Sequence, residues 1–146
     1  HGVALAREYP EYFDKILLDA PCSAEARFID GAPKTYGYWS ERKIKEMAYK
    51  QRQLLLSAWG ALKPGGTLVY STCTFALEEN EAQVARLLAR FPDEARLEKV
   101  TALDMKELPK VSAWKDTVFP PDMRTCMRIM PTLVIEGFFV AKFVKS

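Results

Sequence analysis

Gly66-Thr67-Leu68-Val69-Tyr70-Ser71-Thr72-Cys73-Thr74 decides the fold. Its centre is apolar, aromatic and β-branched, as in a buried strand. It leaves on a polar turn that carries a cysteine. An acidic run, Glu78-Glu79-Asn80-Glu81, then opens a helix. A second copy lies upstream, in Ile16-Leu17-Leu18-Asp19-Ala20-Pro21-Cys22-Ser23. That apolar run predicts a buried strand over 14–19, stopped by Pro21, which cannot extend a ladder.

Outward from these two strands the chain reads as follows. Residues 3–12 are weakly helical, with Pro10 as a breaker. Residues 21–39 form a long connection holding Gly31, Pro33 and Gly37, and loops of that length are usually functional or mobile. Ser40 then starts the clearest helix. Its apolar stripe is Ile44, Met47, Ala48, Leu54, Leu55, Ala58, Trp59 and Leu62. Lys63-Pro64-Gly65-Gly66 ends it with a cation, a breaker and two glycines. A second amphipathic helix runs from Glu78 to Phe91, its early acids suited to the positive end of the dipole. Residues 95–100 read as a further strand and 102–125 as irregular. Residues 127–130 and 137–144 read as an antiparallel pair, the last run apolar enough to be buried on both faces.

Strand, helix, strand, helix, strand is an α/β pattern with a parallel sheet. Right-handed crossovers bring the ends of strands 14–19 and 67–72 to one edge of that sheet. Ligands bind at the carboxyl ends of such strands. Asp19, Cys22 and Cys73 are therefore expected to face one pocket.

The totals bound the function. A chain of 146 residues supports one domain with a real core. Twenty-one basic against 19 acidic residues give a net charge of +2, so no global field announces nucleic acid. The basic set Arg42, Lys43, Lys45, Lys50 and Arg52 reads as a solvated helix face. No apolar run approaches the ~20 residues of a membrane span, and no signal peptide is visible. Three cysteines without a C-x-x-C pair indicate free thiols in a reducing cytoplasm and no metal site. The chain opens on His1-Gly2 and its first methionine is Met47, so it is expected to be trimmed or to be the tail of a longer protein.

Cys73 lies beyond its strand, between two threonines. The local pattern leaves packing and catalysis both open for it. Cys22 gains weight from Asp19 three residues earlier, since a carboxylate there can bind an amino or hydroxyl group. Cys126 and the tryptophans Trp39, Trp59 and Trp114 are read as packing residues.

Taken together, Asp19-Ala-Pro-Cys22-Ser and Tyr70-Ser-Thr-Cys73-Thr, followed by Glu79-Asn-Glu81, resemble the Sun (RsmB-like) family of RNA cytosine carbon-5 methyltransferases. The Lys63-Pro-Gly-Gly turn fits, as do Arg128-Ile-Met-Pro131 and Gly137-Phe-Phe-Val-Ala. One departure is Ala24, where the family usually has glycine. The resemblance implies the C-terminal half of a Rossmann-like methyltransferase sheet, acting on tRNA or rRNA with S-adenosylmethionine. It assigns the covalent adduct with cytosine carbon-6 to Cys73 and the release of product to Cys22. Asp19 falls where cofactor and base meet, with Pro21 at the edge of the cofactor site. The base must be single-stranded or flipped to reach such a pocket.

The family's glycine-rich cofactor loop has no counterpart in this chain, so most of that site is expected to lie outside it. Two other readings remain. One is a DNA cytosine methyltransferase with Cys22 as nucleophile; the other is a non-catalytic RNA-binding or scaffolding module. Half of such a sheet is also expected to be unstable, dimeric or aggregation-prone by itself.

Overall fold

The computed structural model describes residues 2–101 and 105–146. A 3-10 turn and one helical turn, α1 (Leu5–Glu8), precede β1 (Phe13–Asp19). Two 3-10 turns, Glu25–Arg27 and Pro33–Thr35, lie in the connection to α2 (Glu41–Ala61), which returns the chain to β2 (Leu62–Thr72). Then follow α3 (Glu81–Arg90), β3 (Ala95–Glu98), a small hairpin of β4 (Ala113–Trp114) and β5 (Thr117–Val118), β6 (Met127–Ile129) and β7 (Phe138–Lys145). Of the stretch expected to be irregular, Ala102–Asp104 lie outside the described residues, and the rest holds this hairpin and a 3-10 turn at Pro121–Thr125.

β1 and β2 pair in parallel, with Asp19 opposite Ser71. β7 runs antiparallel to β2, and its far edge is shared by β3 and β6. The order is β1-β2-β7-β3, with β6 beside β7. The expected α/β sheet, its parallel pair and the antiparallel pair β6–β7 are all present.

α2 starts where the capping rule places it. The extended Ser40 accepts a hydrogen bond from the Lys43 amide on its Oγ at 3.1 Å. Its end is built differently from expectation. Lys63 pairs with Asp14 instead of the helix terminus. The cation at that terminus is Lys145 of β7, whose Nζ donates to the carbonyls of Leu62 (2.9 Å) and Trp59 (3.4 Å). Leu62 belongs to β2 and is fully buried. Gly65 takes φ +79°, a conformation that a side chain would strain.

α2 and α3 cover one face of the sheet. Leu55, Ala58 and Trp59 of α2 and Val84 and Leu87 of α3 join Leu68, Tyr70, Phe139, Ala141 and Phe143 in one buried cluster. Trp59 packs tilted against Phe91 and edge-on against Phe143, at centroid distances of 5.7 and 6.3 Å. Burying each such side chain contributes about 1.5–3 kcal/mol.

Two burial expectations need correction. β1 forms the edge of the sheet instead of being buried, and Leu17 at its middle is 72% exposed. β7 is fully buried on only one face, through Phe139, Ala141, Phe143 and Lys145, while the alternate residues are half-buried.

Candidate active site

The carboxyl ends of β1 and β2 meet because their register holds to the last residue. Ser71 Oγ donates to Asp19 Oδ1 at 2.8 Å, and the Ala20 amide donates to the Ser71 carbonyl at 2.9 Å. Beyond the strands the two turns stay locked together. The Ala26 amide donates to the Cys73 carbonyl (3.1 Å), and Ser23 Oγ and Thr74 Oγ1 share a hydrogen bond at 2.9 Å. Between these ties the sulfurs of Cys22 and Cys73 lie 3.0 Å apart, both half-buried. The sequence placed Asp19, Cys22 and Cys73 at one edge, and they stand together there. Cys126 is buried in the core, as expected of a packing residue.

The two thiols are electrostatically unequal. The hydrogen bond from Cys22 and the charge of Arg27 bring the Cys73 thiol down to about 7, against the opposing effects of burial and Glu136. The Cys22 thiol is pushed well above the ordinary range, first because it donates that hydrogen bond and then because of burial. A thiolate on Cys73 beside a neutral Cys22 is therefore the favoured pair. Burial drives the Cys126 thiol up to about 12, which leaves it inert.

A buried polar scaffold holds the turns. Glu79 is fully buried; its Oε2 accepts from the Ser23 amide (3.0 Å) and from Gln51 Nε2 (2.8 Å). Gln51 Nε2 also reaches the Pro21 carbonyl at 2.9 Å. Asn80 accepts from Thr72 Oγ1 (2.6 Å) and donates to the Thr74 carbonyl (2.9 Å). Burial raises the Glu79 carboxyl above its usual range, although the Ser23 and Gln51 hydrogen bonds work the other way. The acidic run thus supports the cysteine turn, instead of serving only the helix dipole.

Sequence reasoning missed Gln51, although a signal was there. It sits between Met47 and Leu55 on the apolar stripe, and a polar residue on such a stripe must find a buried partner. Arg27 was also missed, and a lone exposed arginine in a long loop gives no such signal. It pairs with Glu136 at 3.2 Å on the rim of a cleft of about 610 Å³. Phe28, Lys34 and Tyr38 line one side of that cleft and residues 131–136 the other. At Gly137, next along the chain, a Cβ would collide with the Phe75 ring.

Arg128 is fixed by the same region. Its guanidinium donates two hydrogen bonds of 2.6 Å to the Glu81 carboxylate and a third, of 3.2 Å, to the Phe75 carbonyl. The profile of the family described as 16S rRNA methyltransferase RsmB/F matches residues 3–144. The chain belongs to this family. RsmB/F relatives include the ribosomal RNA small subunit methyltransferase F of Pectobacterium carotovorum, 40% identical over 99% of this chain. That of Escherichia coli is 41% identical. This chain spans 28% of the length of the first and 27% of the second. Among solved structures, NSun6 from Pyrococcus horikoshii, determined with SFG, superposes with a TM-score of 0.73 at 30% identity. It covers 99% of this chain, which matches 33% of it. A methyltransferase homologue from the same organism gives 0.71 at 29%, over 99% of this chain and 42% of its own. The fold is thus that of the methyltransferase sheet expected from the motifs.

The residues present fit one edge of S-adenosylmethionine. Asp19 is exposed at the end of β1, and among the described residues its carboxylate accepts only from Ser71. It can take a hydroxyl or amino hydrogen. The Pro21 carbonyl accepts one hydrogen bond from Gln51 Nε2, and the Pro21 ring is exposed beside it. Among the described residues no cluster of His, Cys, Asp or Glu could hold a metal ion, and no helix is long and apolar enough to cross a membrane.

Proposed function

We propose that this chain supplies the cysteine half of a small-subunit rRNA cytosine carbon-5 methyltransferase. The observation that carries the reading is the 3.0 Å approach of two unequal thiols at adjoining strand ends. S-adenosylmethionine, when bound, supplies an electrophilic methyl group. Asp19 would hold its edge or the amino group of the target base, with Pro21 alongside.

Cytosine carbon-5 is a poor nucleophile. The Cys73 thiolate adds to carbon-6, which places electron density on carbon-5 and makes it reactive toward a methyl donor. Water at the open strand ends takes the carbon-5 proton, the C–H electron pair restores the ring double bond, and the carbon-6–sulfur bond breaks with its electron pair returning to Cys73 as thiolate. The Cys22 thiol donates a hydrogen bond to that departing sulfur. It thereby stabilises both the resting nucleophile and the leaving group. The cleft beside Cys73, with Arg27, Lys34, Phe28 and Tyr38, suits the nucleotides that flank a flipped base.

We also propose that the cofactor half of the domain lies in the part of the enzyme this chain does not span. The relatives' greater length and the open edge of β1 support that reading. In the intact enzyme, Cys73→Ala abolishes methyl transfer to unmodified 16S rRNA. Cys22→Ala leaves a covalent protein–RNA adduct on a denaturing gel. Full activity in Cys73→Ala sinks the assignment, and exchanged phenotypes would make Cys22 the nucleophile.

A further inference from the structure

The near-neutral total conceals a segregation of charge. α2 and α3 together carry seven basic and three acidic residues, while the rest of the chain carries fourteen and sixteen. The acids within these helices are also spent unevenly. Glu46 pairs with both Lys43 and Lys50, and Glu81 is buried against Arg128. Lys45 and Arg52 are seven residues apart, two turns of α2, and so share a side. Arg86 and Arg90 share a side of α3 in the same way. Among the described residues none of these four makes an ion pair.

All four border one groove between the helices. A part of about 240 Å³ is lined by Lys45, Tyr49, Arg52 and Arg86, with Ala48 and a single acid, Glu78. It continues into a part of about 210 Å³ bordered by Arg52, Arg86 and Arg90 over an apolar floor. Arg52 and Arg86 line both parts. Gln83, 1% exposed, lines the second part, and its Oε1 has no hydrogen-bond partner among the described residues. Tyr49 is 60% exposed, with the Arg52 guanidinium 5.5 Å over its ring. A row of unpaired cations tracks a phosphate backbone, and an exposed ring beside an arginine offers a face on which a base can stack.

We propose that the α2–α3 groove binds the backbone of the substrate RNA, at a point separate from the reacting base. The proposal rests on the RNA reading above, but not on the roles of the two cysteines. Nucleic acid is favoured over an acidic protein because the cations come with an exposed stacking face.

The test uses the intact enzyme and an unmodified 16S rRNA transcript. In Arg52→Gln/Arg86→Gln the dissociation constant at about 0.1 M salt rises about tenfold, and the slope of log affinity against log salt shrinks by about 1.5, as two lost phosphate contacts require. The rate at saturating RNA stays within about twofold, because neither arginine touches the cysteine turn. Lys45→Glu, at an exposed residue of the groove, moves affinity and slope in the same direction. Unchanged affinity and slope in both variants overturn the proposal, as does a lowered saturating rate with unchanged affinity. The failures remain separable: a protein that loses RNA affinity in these variants yet keeps methyl transfer in Cys73→Ala sinks the cysteine assignment and leaves the groove standing.

Discussion

Cys73 derives its character from a single neighbour more than from its sequence context. The Cys22 thiol, 3.0 Å away, stabilises the thiolate, and Arg27 adds to the effect. Because the thiolate is the reactive form, alkylation of Cys73 by iodoacetamide should rise with pH and level off above a midpoint near 7. Cys22→Ala removes the hydrogen bond, so the midpoint should move upward toward the ordinary thiol range. A pH profile followed by mass spectrometry checks this; an unmoved midpoint would show that Cys22 does not hold the thiolate. Ala24 is the residue where the departure from the family's glycine has a visible cost. It adopts φ +58°, ψ +34° in the cysteine turn. A non-glycine residue in that left-handed region costs about 1–2 kcal/mol. The convergence of Asp19, Cys22 and Cys73 was legible from two strand ends. The inequality of the thiols was not, since it depends on a neighbour 51 residues away and on Arg27 in the long connection.

At the scale of elements, motifs that look separate along the chain turn out to be partners. Glu81 opens α3 and Arg128 lies on β6, and their bidentate pair ties both to the turn after Cys73. Both side chains are nearly sealed from water, at 4% and 8% exposure. Removing one partner strands a buried charge, which costs about 3–5 kcal/mol. Arg128→Met should therefore destabilise the protein by that amount, and the double change with Glu81→Leu should recover much of the loss. Urea denaturation of the two single variants and the double variant measures the coupling; additive losses would show that the pair is not coupled. The scaffold under the cysteine turn follows the same logic. Glu79, Asn80 and Gln51 satisfy backbone groups of turns that have no ladder of their own. From the sequence, Glu78-Glu79-Asn80-Glu81 looked like a helix start, but α3 begins only at Glu81. Asn80 occupies the cap position yet spends its side chain on Thr72 and Thr74. A helix-propensity argument cannot distinguish these uses, because both call for short polar side chains.

For the whole molecule, β1 is the exposed edge of the sheet, with Leu17 at its middle. An edge strand with free backbone groups and an exposed leucine is a template for pairing with a second chain. The 146 residues expressed by themselves should self-associate, and Leu17→Lys should shift sedimentation toward monomer. A sharp monomeric melting transition of the unchanged chain would count against this. Charge also has to be judged at this scale. The basic residues of α2 read as a solvated face while only one helix was in view, and Glu46 does neutralise part of them. Packing brings Arg86 and Arg90 of α3 to the other part, which no local count reveals. The sequence by itself determined the order of the main strands and helices, the α2 cap, the apolar stripe and the two strand ends, because these depend on periodicity, turn chemistry and neighbours within a few residues. Only the tertiary structure decided which buried polar groups satisfy one another, how close the two thiols stand, that β1 is an edge and where the cations collect. Those depend on desolvation and on distances between residues far apart in the chain, which the linear order does not encode.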